Sequence, residues 1–136
     1  AWVDPNWAGL GTVKLLFVID GRDDIIPDAG EIALVDAHIA EERPVTADVT
    51  VAAPVADPLD FAITLTPDTT AVRAAVAAEL RDLIAREAEP GGTLLISHIR
   101  EAVSIATGET DHVLSSPTAN QTAAAGHIFV LGDITW

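Results

Sequence analysis

No cysteine occurs anywhere in the 136 residues. That absence excludes a disulfide framework, thiolate nucleophiles and cysteine-ligated metal centres. Tyrosine and methionine are missing too, and the aromatic complement is three Phe and three Trp. The core must therefore come from small and aliphatic side chains. Cations are scarce: seven Lys and Arg face 21 Asp and Glu, for a net charge of −14. Phosphate contacts need Lys or Arg, so no nucleic-acid partner is expected. An anionic membrane surface is disfavoured for the same reason. No apolar run reaches the ~18 residues of a membrane-spanning helix. The opening residues lack the basic-then-apolar order of a signal peptide. Such a chain takes proteins as partners.

Hydrophobic residues make up 49% of the chain, which places it among globular rather than disordered sequences. The length suits one modest core or two small ones. Because the chain opens on Ala1 in mid-pattern, it reads as a piece cut from a longer protein.

Residues 1–11 read as a loop, punctuated by Pro5, Gly9 and Gly11, with Trp2 and Trp7 pinning it to something apolar. Thr12 to Ile19 is almost wholly apolar and reads as a strand covered on both faces. Asp28 and Glu31 have the spacing of a capping box. The helix that follows carries Ile32, Val35 and Ile39 on one face, and Pro44 stops it. Asp48 to Ala53 alternates as a second strand. Residues 1–54 thus form a strand-helix-strand subdomain, and Pro54 to Pro58 marks the boundary.

In residues 55–136, Leu59, Phe61, Ile63 and Leu65 alternate with more polar neighbours, as in a strand with one buried face. Asp68 or Thr69 caps the strongest helix, whose apolar stripe is Val72, Val76, Leu80, Leu83 and Ile84. Glu89-Pro90-Gly91-Gly92 ends it. Thr93 to Ile96 is extended. Ser97 then caps a third helix, which turns Ile99, Ala102, Val103 and Ala106 inward and stops at Gly108. His112 to Ser115 and Gly126 to Leu131 are the last strands, joined through Pro117 to Ala125, with Gly132-Asp133 a turn before Ile134 and Trp136. The order is strand, helix, helix, strand, strand. The fold class is α/β in the α+β sense: small mixed sheets with helices packed on one face, in two subdomains of ferredoxin-like size.

Candidate chemistry is thin. Asp20, Asp23 and Asp24 stand at a strand's C-terminal edge, where carboxylates can hold Mg²⁺. Arg22, however, takes the place of the acid that an Asp-x-Asp or calcium-loop pattern needs. His38, His98, His112 and His127 lack metal-ligand spacing, although His98 and His112 could meet in space. Ser97 and His98 are chain neighbours, which is no nucleophile-base dyad, and the chain has no G-x-S-x-G elbow. Gly9-Leu10-Gly11 precedes a strand, whereas a dinucleotide fingerprint must follow one. No catalytic residue, cofactor site or metal site is assigned. Trp2, Trp7 and Trp136 are the candidate interface residues, because Trp is enriched at binding hot spots.

Several segments together carry a family resemblance. They are Pro5-Asn6-Trp7 with Gly11-Thr12-Val13, then Arg43-Pro44-Val45-Thr46-Ala47 after a helix, then Glu89-Pro90-Gly91-Gly92-Thr93. Ser97-His98-Ile99-Arg100-Glu101-Ala102-Val103 and the ending Ile134-Thr135-Trp136 complete the set. In this order they resemble the C-terminal part of the baseplate J-like proteins of contractile-tailed, Mu-like phages, over nearly the whole chain. The resemblance implies a non-enzymatic wedge component of a phage or prophage tail baseplate. It implies contacts with other baseplate wedge proteins and with itself, and the charge of −14 argues for no nucleic acid and no membrane. The location implied is the virion tail baseplate, after assembly in the bacterial host cytoplasm. Two alternatives remain from the residues alone. One is a ferredoxin-like ligand-binding or regulatory domain. The other is a metal-dependent enzyme using Asp20, Asp23 and Asp24.

Overall fold

The computed structural model describes residues 1–44 and 46–136. Val45, inside the Arg43 to Ala47 segment of the resemblance, lies outside the described residues. The chain forms two compact units, Ala1–Val55 and Ala56–Trp136.

The first unit begins with β1 (Trp2–Pro5), where a loop was expected. It pairs antiparallel with β2 (Thr12–Leu16), Trp2 opposite Leu16 and Pro5 opposite Val13. Pro5 is compatible with this strand because β1 is at the sheet edge, where a missing amide hydrogen goes unnoticed. The expected strand to Ile19 stops three residues early, and only Leu16 within it is buried. The chain then turns, with Ile19 N donating to the Ile25 carbonyl at 2.9 Å.

Helix α1 (Ala29–Glu42) starts with the expected capping box. Glu31 N donates to Asp28 Oδ1 at 2.9 Å, and Asp28 N donates to Glu31 Oε2 at 2.8 Å. Ile32, Val35 and Ile39 are its half-buried apolar residues, and the helix buries no residue fully. It packs against β3 (Asp48–Ala52), which lies parallel to β2 with Val13 opposite Val49. The sheet order is β1-β2-β3.

The second unit holds the main core. Strand β4 (Val55–Thr66) sends Leu59, Phe61, Ile63 and Leu65 inward by its period of two. Helix α2 (Thr70–Glu87) buries the whole expected stripe, Val72, Val76, Leu80, Leu83 and Ile84. Of the two candidate caps it uses Thr69, whose hydroxyl accepts from Val72 N at 3.3 Å. Strand β5 (Thr93–Leu94) leads into helix α3 (Ile96–Ile105), and Ile99, Ala102, Val103 and Ala106 are buried as the stripe required. Gly108 follows with a φ of +89°.

Two expectations fail in this unit. Ser97 is not a cap: it is exposed in the first turn of α3, and Leu95 holds the N-cap position without a side-chain bond. Asn120, from far along the chain, instead accepts from Ile96 N through Oδ1 at 3.0 Å. Gly132-Asp133 is not a turn either. After β6 (Asp111–Ser116) and β7 (Gln121–Thr122), β8 runs unbroken from His127 to Thr135. The short β7 pairs antiparallel with β5, so the 117–125 connection is not structureless. The main sheet has the order β6-β4-β8, and α2 and α3 pack on each other and on β8 and β6. Helices on small mixed sheets make the α+β class that the sequence pattern indicated.

Candidate functional site

The aspartates at the end of the first apolar run do not gather around a common point. Arg22, between them in sequence, turns to Glu31. Its guanidinium forms a forked pair with Glu31, Nη1 to Oε1 at 2.6 Å and Nη2 to Oε2 at 2.9 Å. It also donates to the carbonyls of Asp24 and Ile26. The forked bond to Arg22, then the amide of Asp28, hold the Glu31 carboxyl below its ordinary range. Asp24 Oδ1 accepts from Ile26 N at 3.0 Å, so it is used in the turn. Among the described residues, no three His, Asp or Glu side chains stand together as metal ligands would.

The histidines are engaged separately. His98 Nδ1 lies 2.8 Å from Glu87 Oε2, joining α3 to the end of α2. His112 Nδ1 lies 2.9 Å from Glu109 Oε1, in a pair almost hidden from water. His98 and His112 therefore take different carboxylates and form no shared site. Ser97 is exposed and its neighbour His98 is committed to Glu87.

The tryptophans fall into two situations. Trp136 is half-buried against the second core, and the Arg73 guanidinium lies 5.6 Å from its ring centroid. The same Arg73 grips Asp68 through Nε and Nη2, at 2.5 and 2.6 Å, which holds the Asp68 carboxyl low and the guanidinium high. Trp2 is half-buried in β1. Trp7 stands out on the β1–β2 turn, 45% exposed, with Lys14 Nζ 5.2 Å from its ring centroid.

One exposed residue escaped the sequence reading. Leu10, on that same turn, is 97% exposed. A single leucine between two glycines carries no periodic signal, so only the turn's geometry reveals it. Further exposed apolar side chains are Leu34 on α1, Ile105 on α3 and Val113 on β6.

The molecule is a pair of small α+β units with several large apolar side chains exposed, and its described residues gather no metal-ligand cluster. The comparisons make the class specific. Residues 1–53 match the baseplate J-like central domain, and residues 59–136 match the baseplate J-like protein C-terminal domain. The chain belongs to the baseplate J-like family. It is 39% identical over 137 residues to the putative protein JayE of Escherichia coli K12, covering all of this chain and 52% of that protein. It is 36% identical over 146 residues to the Mu-like prophage FluMu protein gp47 of Haemophilus influenzae, and 33% identical over 146 residues to the baseplate protein gp47 of Escherichia phage Mu. Both matches span all of this chain and 41% of the relative. The chain thus spans about half the length of the relatives it matches, or somewhat less.

Proposed function

We propose that the chain acts as a wedge component of a contractile-tail baseplate, without catalysis, by binding neighbouring baseplate proteins and further copies of itself. The observation that carries this is the tiling of the chain by two baseplate J-like matches, one per compact unit. On this reading the subdomains 1–54 and 55–136 are successive building blocks, and Trp2, Trp7 and Trp136 contribute to interfaces. Its place is the virion tail baseplate, reached by assembly in the host cytoplasm. Nucleic acid and membrane are not among its ligands, in keeping with the charge of −14. The test is to delete the gene from its phage or prophage and image the particles. The reading requires tails without a complete baseplate, restored by the gene in trans. Normal contractile particles from the deletion would refute it.

A further inference from the structure

Arg73 stands where an α-helix disfavours a cation. Thr69 caps α2, so Arg73 falls in the first turn, beside the positive end of the helix dipole. Thr70, Ala71 and Val72, which share that turn, are uncharged. A charge set against a local rule points to a task elsewhere in the fold.

Arg73 makes two contacts at once. Nε and Nη2 donate to Asp68 Oδ1 and Oδ2 at 2.5 and 2.6 Å, and Cζ lies 5.6 Å from the Trp136 ring centroid. A planar guanidinium suits both, since its edge can fork onto a carboxylate while its face meets an aromatic ring. An exposed ion pair by itself contributes little to stability, and both side chains here are 42% exposed. The use of the pair therefore lies in where it puts the guanidinium.

What the guanidinium meets is the far end of β8, a strand that packs on α2. Asp133 and Thr135 are exposed, while Ile134 and Trp136 turn back onto the second core, following the period of two of a strand. Trp136 follows the last strand residue, Thr135, and is only half-buried. The end of a strand opens more readily than its middle. The core alone does not enclose this indole, and Arg73 adds the missing contact.

We propose that Asp68 and Arg73 form a clasp for Trp136: the carboxylate holds the guanidinium against the indole, and the indole so held keeps residues 133–136 seated at the start of α2. The strand end then has a closed and an open state. Arg73 touches the ring, and Asp68 is a positioning residue that acts through Arg73. The clasp lies within the second unit and does not depend on the baseplate reading.

For the test, the full-length protein is labelled with 5-fluorotryptophan, and the Trp136 resonance is assigned by its loss in Trp136→Phe. Arg73→Gln should move that resonance. Asp68→Ala should move it in the same direction, at least half as far. In the Arg73→Gln background, Asp68→Ala should have no further effect, because the carboxylate has lost its intermediary. Amide exchange at residues 133–136 should quicken about two- to five-fold in either single variant, the range of an exposed cation–π contact.

A Trp136 resonance that keeps its wild-type position in either single variant would overturn the clasp. So would an equal movement by Asp68→Ala with and without Arg73, since the carboxylate would then act by another route. If Arg73→Gln melts early, Arg73→Lys takes its place. The charge remains, the fork is lost, and Asp68→Ala should then move the resonance less than half as far as it does beside arginine. Equal movement beside lysine and arginine would again overturn the clasp.

Discussion

Gly132 lies so close to Asp60 that a methyl group at position 132 would collide with the Asp60 carboxylate and stand 2.9 Å from the Leu59 carbonyl oxygen. The next residue, Asp133, donates its amide to Asp60 Oδ1 at 2.8 Å. Glycine here permits β8 to pass β4 rather than turn. Gly132→Ala should destabilise the second unit by about 1–3 kcal/mol, because the obstructing carbonyl is backbone and cannot swing away. Thermal unfolding followed by circular dichroism should show a drop of about 4 °C or more. An unchanged melt would mean that the two strands are less tightly apposed.

The start of α3 separates a remote cap from a local one. Asn120→Ala removes the acceptor for Ile96 N and should cost about 1 kcal/mol. Ser97→Ala should leave stability within about 0.5 kcal/mol of wild type, as an exposed surface change does. Denaturant titrations of the two variants read the contrast directly. The reverse order would restore serine as the cap.

Asp28→Ala should weaken α1 by about 1 kcal/mol, since it removes the acceptor for Glu31 N. Asn at the same position, an equally good N-cap, should recover most of that loss. Hydrogen exchange at the first-turn amides of α1 is the fitting readout. Equal protection in the Ala variant and wild type would count against the box.

Acid should loosen the Asp68–Arg73 pair. The bond to Arg73 holds the Asp68 carboxyl below its ordinary value, so the folded chain binds that proton less readily than the unfolded one. The pair's stabilisation is thus complete above the ordinary carboxylate value of about 4, and it is lost as pH falls further, through the depressed value. The contribution is small, because both side chains are well exposed. Arg73→Gln should shallow the stability loss below about pH 4 and leave the slope above about pH 5 unchanged. An identical acid limb in variant and wild type would show that the pair does not matter in solution.

Features set by neighbours in sequence were the ones the sequence made legible. The α2 stripe from Val72 to Ile84, the α3 stripe from Ile99 to Ala106, and the Asp28–Glu31 box all lie within one element, and all stand as expected. What depends on distant residues was hidden. Asn120 caps a helix 24 residues upstream, and Gly132 reads as a turn until β4 is seen beside it. Pro5 and the glycines after it masked β1, because edge pairing tolerates what a central strand would not. Among the exposed apolar residues, Trp7 was legible from its type alone. Leu10 was not, since its prominence comes from the hydrogen bonds around it.

Helix α1 buries none of its residues, and the buried side chains among the described residues of the first unit are Leu16, Pro27, Val51 and Pro54. Newly exposed apolar surface is what raises heat capacity on unfolding. A unit with so little apolar surface to expose should have a small heat-capacity increment per residue. Its free energy of unfolding should then vary gently with temperature, over a broad and shallow range. The second unit, with its dense aliphatic core, should follow a steeply curved profile instead.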